Sequence, residues 1–280
     1  MHDTRTGWGL LAPAVSWIVL FFTLPMALMV AVSLWSREKG KIVQSWDLGN
    51  YANFLEKSYF LKALVNSLEI TATVTIISIL LAYPLAWIIA ERVPERWRRL
   101  ALIMAVLPFW TSYVVRSYSW LLVLGKGGVI NQALLGIGLI GEPLELASSR
   151  TATVIGFVHF FTMLLTLTIY ANLVQLPPSY RRAAADLGAN GFQTFRHVIL
   201  PLTLPGIMVG AFLTFVLCIG DYITPQILGG NNELTLPQTI MLQIGRRAEF
   251  PIASAIALIL MAVVTLAYIA CARWLRLERT

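Results

Sequence analysis

Three ionisable side chains stand inside apolar runs of this chain: Glu69, Arg116 and Asp221. Each costs about 2.5–3.5 kcal/mol to place at the centre of a membrane helix, so such a residue faces a cavity, a partner or a transported solute. Asp221 lies in Gly220-Asp221-Tyr222-Ile223-Thr224-Pro225, where glycine and proline loosen a helix and free backbone carbonyls to face a cavity. A carboxylate beside the Tyr222 ring suits an alkylammonium, through charge pairing and a cation–π attraction of roughly 0.5–2 kcal/mol. The alternative is an ion pair between Asp221 and Arg116 that only holds two helices together. Tyr113, Arg116 and Trp120 recur at the spacing that puts them on one helical face. Tyr113 and Trp110 are candidates for the same path, whereas Trp120 reads as part of the aromatic belt at a membrane surface. Glu69 and Asp221 together would guide a cation, while Arg116 suits an anionic or zwitterionic solute better. His159, in the middle of another apolar run, reads as a hydrogen-bonded packing residue or, alternatively, as a proton relay.

Other chemistries find no support. Catalytic residues are not expected, because no Ser/His/Asp or paired-carboxylate arrangement has a sensible placement; Glu91 and Glu95 read as a solvated pair beside Arg92 and Arg96. No metal site is expected either. Cys218 and Cys271 are far apart in sequence, without metal-ligand spacing, and read as small hydrophobes. The phosphate-loop pattern GxxxxGK[ST] does not occur, and Gly125-Lys126-Gly127-Gly128 lacks its spacing. Any ATP that drives this protein is therefore expected on a different chain.

The elements that position these residues follow from hydropathy. Of 280 residues, 58% are hydrophobic and only 12% are charged, against roughly 25% charged in a soluble domain. An all-α integral membrane protein is expected. Crossing the hydrocarbon core takes about 20 apolar residues, and six runs qualify: Leu10–Leu34, Ala63–Ala90, Leu100–Leu124, Thr151–Gln175, Pro205–Leu228 and Ile252–Ala272. The first is longer than the apolar core of a signal peptide, so it reads as an uncleaved span despite the small residues Ala31-Val32-Ser33. An even number of spans puts both termini on one side. Arg5, the cluster Arg92, Arg96, Arg98 and Arg99, and the tail Arg273, Arg276 and Arg279 share that side, which makes it cytoplasmic. The formal charge of +7 is thereby explained by topology, and nucleic acid is not an expected partner. The outer loops include two apolar pieces, Val129–Ile140 and Thr239–Ile244, expected as short surface helices, and Gly229-Gly230-Asn231-Asn232 marks a turn. No second domain, linker or internal repeat is evident.

Between the fourth and fifth runs lies a polar, basic insert, RRAAADLGANGFQTFRHVILPLTLPGI, from Arg181 to Ile207. Pro177 and Pro178 stop the preceding helix, Ser179 can cap a new one, and Gly188 ends it. A second short helix is expected to bury Phe192, Phe195 and Ile199 on one face, with Pro201 and Pro205 bracketing its exit. The product is a helical hairpin with an exposed apolar side that needs a partner.

The spacing Arg182-Ala183-Ala184, Gly188, Val198, Leu200-Pro201 resembles the EAA loop of permease subunits in binding-protein-dependent ABC importers. Asp186, Leu187, Phe192 and Phe195 fall in the same loop, and the family's glutamate position is occupied by Arg182, a charge reversal. The segment around Asp221 and the stretch from Leu107 to Trp120 resemble the spermidine/putrescine-type permeases. The resemblance runs from about Tyr51 to Leu277. It implies a type I ABC importer permease (MetI-like) fold filling residues 1–280, with a cytoplasmic coupling-helix loop at about 177–205. It further implies a bacterial inner-membrane importer in which this chain forms half the path for a small amine. The implied partners are a second, similar permease subunit, two ATPase subunits that hold the ATP, and a periplasmic binding protein. No cofactor is implied on this chain. An amino acid, an opine or a phosphonate is the alternative cargo, and an ion-coupled secondary transporter is the rival of a different class.

Overall fold

Long apolar runs closed by proline or charge become helices here because a backbone in lipid must bond to itself. The structure, a computed structural model, describes residues 3–230 and 233–277. Asn231-Asn232 and Arg279, with the side chains of Arg5, Arg273 and Arg276, lie outside the described residues. In chain order the helices begin with α1 (Asp3–Ile18), a wide π turn (Val19–Thr23) and α2 (Leu24–Ser33). A two-stranded hairpin of β1 (Ser36–Glu38) and β2 (Lys41–Val43) follows, then α3 (Gly49–Glu56) and α4 (Ser58–Trp87). After a second π turn (Ile88–Arg92) come α5 (Glu95–Val106), a 3-10 turn (Leu107–Trp110), α6 (Tyr113–Leu124) and α7 (Val129–Gly136). The remainder is α8 (Arg150–Val174), α9 (Ser179–Asp186), α10 (Gly191–Thr194), a third π turn (Phe195–Ile199), α11 (Leu200–Gly220), α12 (Ile223–Leu228), α13 (Leu236–Gly245) and α14 (Phe250–Leu277).

Among the described residues five helical runs are long and apolar enough to cross a membrane, and a sixth span is a bent pair. The continuous runs are Leu11–Ser33, Ser58–Arg92, Arg150–Val174, Gly191–Gly220 and Phe250–Ala272. The third expected span, Leu100–Leu124, is not one helix: Glu95–Trp110 and Tyr113–Gly136 meet at 90°. The fifth is displaced as well, starting at Gly191 rather than Pro205 and stopping at Gly220. Pro201 and Pro205, expected to bracket the exit of the second short helix of the insert, therefore lie within one continuous helical run. Proline clashes with the carbonyl four residues earlier, and the π turns at Val19–Thr23 and Phe195–Ile199 stand just before Pro25 and Pro201. Bonding five residues apart instead of four relieves that clash locally.

Two compact units divide the chain, Met1–Lys62 with Leu236–Val263, and Ala63–Thr235 with Val264–Thr280. In the second unit α8 is the mast. The Ser149 hydroxyl accepts the Ala152 N–H at 3.1 Å and caps it. Ala152, Gly156, Phe161, Leu165, Ile169 and Leu173 then form one buried stripe at four- and five-residue spacing. Three apolar clusters lie along it: Leu124 and Leu228 at one end, Ile70, Val74 and Phe157 in the middle, and Tyr83, Ala86, Ile199 and Ile207 at the other. Lipid is as apolar as leucine, so close packing rather than water exclusion holds such helices together. Glycine permits it: a Cβ on Gly206 would meet the Asn172 side chain at 2.2 Å, and one on Gly156 would meet Leu228 at 2.5 Å. Two threonine hydroxyls inside the unit bond back to their own helical run, Thr166 to the Thr162 carbonyl at 2.6 Å and Thr203 to that of Ile199 at 3.0 Å.

In the first unit Asn50 donates to the carbonyls of Ser33 and Trp35 at 2.8 and 2.7 Å, and the Ser33 hydroxyl meets that of Tyr51 at 2.8 Å. These bonds tie α3 to the end of α2. Phe54 and Phe60 stack beneath them with ring centroids 5.6 Å apart.

Candidate functional site

Both breaks in the spans of the second unit carry candidate residues. At the first, Thr111 and Ser112 are extended between the 3-10 turn and α6. The Pro108 carbonyl there accepts from the Thr111 N–H at 3.3 Å and, in addition, from the Thr111 hydroxyl at 2.7 Å and the Arg116 guanidinium at 3.1 Å. At the second, Asp221 is extended and its carboxylate accepts the N–H of Ile223 at 2.9 Å and of Thr224 at 3.3 Å, satisfying the first amides of α12 from the position before its cap residue Tyr222.

Tyr113 joins the two breaks. Its hydroxyl donates to Asp221 Oδ2 and accepts from the buried Thr224 hydroxyl at 2.7 Å. Arg116 reaches the same tyrosine by its ring: the guanidinium carbon stands 5.1 Å from the Tyr113 centroid and 4.6 Å from that of Phe160. Each such contact contributes about 0.5–2 kcal/mol. Only 7% of Arg116 is exposed. The ion pairs among the described residues join Arg37 to Glu249, Lys126 to Glu145, Arg150 to Glu69 and Glu233, and Arg181 to Glu91. Asp221 and Arg116 are thus not paired with each other; they hold opposite parts of Tyr113.

The remaining path candidates sit elsewhere. Glu69 accepts from Arg150 at 2.7 Å. Ser67, Ile70 and Thr71, not Glu69, line the small space beside Asp221 with Phe157 and Cys218. Tyr222 is exposed next to Asp221, and Trp110 is 85% exposed on the surface of the unit. Trp120 is no simple belt residue, because its indole N–H donates to His159 Nδ1 at 3.0 Å. That bond also gives His159 the packing role. Arg116, Trp120 and His159, with Val115 and Val123, line a cavity of about 310 Å³. Sequence reasoning missed Thr224, Phe160 and Arg150; Thr224, in the same loosened segment as Asp221, was the one with a local signal.

The second group is the hairpin. Helix α9 ends in a Schellman turn, with the Gly188 N–H on the Ala185 carbonyl at 2.9 Å and the Ala189 N–H on that of Ala184 at 3.0 Å. Gly188 has φ +82°, a conformation that costs other residues about 1–2 kcal/mol. Ser179 is not the cap that its type invites; it is the first helical residue, after Pro178. The next helix starts instead with a capping box: Asn190 Oδ1 accepts the Gln193 N–H at 2.8 Å, and Gln193 Oε1 accepts the Asn190 N–H at 2.9 Å. Ala184 and Ile199 are buried, and Phe195 packs edge-on against Tyr83 and Trp87, centroids 5.7 and 5.4 Å away. Phe192 does not share their face. The π turn adds a residue to the period between Phe192 and Ile199, and Phe192 is 69% exposed; Leu187, at the end of α9, is 89% exposed. Arg182, Ala183 and Asp186 are exposed around them, while Leu200 and Pro201 begin α11. Glu91 is not simply solvated either; it pairs with Arg181, whose guanidinium carbon also stands 5.6 Å from the Trp87 centroid.

Residues 72–276 match the model of the family described as the binding-protein-dependent transport system inner membrane component. The chain belongs to this family. It is a permease of the type I ABC importer class and a multi-pass membrane protein. The spermidine/putrescine transport system permease protein PotB of Salmonella typhimurium is 32% identical over 247 residues, 88% of this permease and 85% of its relative. The inner membrane ABC transporter permease protein YdcU of Escherichia coli is 35% identical over 209 residues, 70% of this permease and 66% of its relative. The fold is that of MetI-like permeases: a chain of the bacterial alginate ABC transporter, solved with an alginate pentasaccharide-bound periplasmic protein, superimposes with TM-score 0.81 at 17% identity, covering 95% of this permease and 92% of that chain. The family match takes in the Tyr113–Asp221 junction and the whole hairpin, and begins after Glu69.

Proposed function

We propose that this permease forms half of the translocation path of an ATP-driven importer for small amines, polyamines such as putrescine and spermidine. The observation that carries the cargo is the similarity over 247 residues to a permease named for spermidine and putrescine. Chemistry agrees with it. A carboxylate has about four acceptor positions, and Asp221 uses three, on the Tyr113 hydroxyl and two backbone amides, which leaves room for an ammonium beside Tyr222. Glu69, Trp110, Tyr113 and Arg116 belong to the same proposed path, with Arg116 setting its limit for cations.

In this reading a second, similar permease completes the path, a periplasmic binding protein delivers the solute, and two ATPase subunits bind the hairpin and hold the ATP. Residues 1–280 act as one permease domain in the inner membrane, both termini in the cytoplasm, without a cofactor or metal of its own. Leu187 and Phe192 are the contact points for an ATPase, set at a fixed angle by the Schellman turn and the capping box. Arg182, at the family's glutamate position, makes the two permease–ATPase contacts unequal. ATP and loaded binding protein each favour one state of the path, and that differential binding drives the cycle.

The test is ATP hydrolysis by the purified assembly with loaded binding proteins, for the native chain and Gly188→Asp. Stimulation by a polyamine-loaded protein, lost in the variant, is expected. In transport, Asp221→Asn is expected to slow amine uptake about tenfold, equivalent to about 1.4 kcal/mol of lost attraction; an unaltered rate rejects the role of Asp221. Stimulation only by an amino-acid-, opine- or phosphonate-loaded protein replaces the cargo, a reading favoured by Arg116 beside its cavity with Trp120 and His159. Uptake by this chain alone in ATP-free liposomes would indicate an ion-coupled secondary transporter.

A further inference from the structure

A second cavity, of about 330 Å³, lies wholly in the first compact unit, at the common end of α2, α4 and α14. Its charge is unbalanced. Arg37, Lys57 and Arg247 line it against one carboxylate, Glu249. Glu249 stands 3.4 Å from Arg37, which also donates to the Arg247 carbonyl. No carboxylate pairs with Lys57 or Arg247 among the described residues.

Its polar atoms are unsatisfied as well. Gln243 is 1% exposed and lines the cavity, yet its Nε2 has no hydrogen-bond partner, and the same holds for Ser36 Oγ and Asn53 Oδ1. A buried amide left in this way is destabilising unless a ligand or water satisfies it. Both α4 and α14 also begin at the cavity, after Lys57 and Glu249, and their positive ends add to the field. Asn53 Oδ1 can only accept, but Arg37, Lys57, Arg247, the Ser36 hydroxyl and the Gln243 amide are donors on one space, fit for a group with several acceptor oxygens.

The surroundings indicate where such a group comes from. Trp46, Leu48 and Leu55 are exposed on the segment that carries the lining residues Asn50 and Asn53, the mixture of aromatic and apolar residues that settles at the lipid headgroup level. The neighbouring span Leu11–Ser33 is apolar and has no part of its most apolar window buried, so acyl chains have access beside it. We propose that this cavity binds the phosphate of an anionic membrane phospholipid, with Lys57, Arg247 and the Gln243 amide as donors. The site is independent of which solute crosses.

The test is native mass spectrometry of the full-length protein, or its assembly, exchanged into phosphatidylglycerol or phosphatidylcholine, comparing the native chain with the double variant Lys57→Gln, Arg247→Gln. Both substitutions are on exposed residues, and unchanged elution and helical content confirm the fold. The native chain is expected to retain phosphatidylglycerol at least threefold more than the variant, with phosphatidylcholine equal in both. Millimolar inorganic phosphate is expected to leave retention unaltered. Equal phosphatidylglycerol retention rejects the site; displacement by inorganic phosphate makes it a free-anion site instead. Unchanged lipid with weakened capture of a binding protein would make it a protein contact and overturn the lipid assignment.

Discussion

Tyr113 carries two hydrogen bonds and one cation–π contact on a single side chain. Tyr113→Phe keeps the ring over Arg116 and removes the hydroxyl, leaving the Thr224 hydroxyl buried without its acceptor and Asp221 with amide donors alone. Such a loss costs about 1–3 kcal/mol, so the melting temperature of the solubilised protein is expected to fall, whereas Tyr222→Phe, on an exposed ring, is expected to leave it unchanged. Equal shifts in the two variants would remove Tyr113 from its bridging role. The identity of the residues was legible in the sequence, since buried charge in an apolar run is conspicuous. Their partners were not. Arg150 is 81 positions from Glu69, and Asp221 is 108 from Tyr113; neither separation leaves a local trace. Opposite charges make Arg116 a possible partner of Asp221, yet the Pro108 carbonyl and two ring faces take it.

At the scale of elements, the hairpin is fastened to α4 and its π turn by the Phe195 ring contacts and the Arg181–Glu91 pair. Arg181→Gln removes the pair and weakens the guanidinium contact with Trp87. Both partners are part-exposed, so the pair contributes at most about 1 kcal/mol. Hydrogen exchange across residues 179–194 is expected to quicken by roughly fivefold while α8 is unaffected; unchanged exchange in the hairpin would show that aromatic packing alone holds it. Much of this hairpin was written locally, in Pro178, the alanine run and Gly188. The facing of Phe192 was not, because a regular helical period cannot anticipate a π turn. The break in the third span did leave a signal: Pro108 removes a donor and restrains the residue before it. Hydropathy averages over such a residue and joins the two arms into one run.

At the scale of the whole molecule, the spans differ in what their own chain covers. Half of the apolar window of Arg150–Val174 is buried, and none of that of Leu11–Ser33. Phe22 is 70% exposed. A spin label at Phe22→Cys in bilayers is expected to be accessible to oxygen and shielded from a water-soluble nickel relaxer; the reverse would take that run out of the membrane. The number of spans and the basic loops were legible because lipid imposes them on composition. The angle at Thr111 and Ser112 depended on contacts between distant segments and was not. That angle has a further consequence. The bend in the third span and the end of the fifth are fastened by one hydroxyl, so neither can straighten while the other stays put. A movement that arrives through α11 from the hairpin must either carry α6 along with α12 or break the Tyr113–Asp221 bond. The junction then acts as a clutch, engaged or released, rather than as two separate joints.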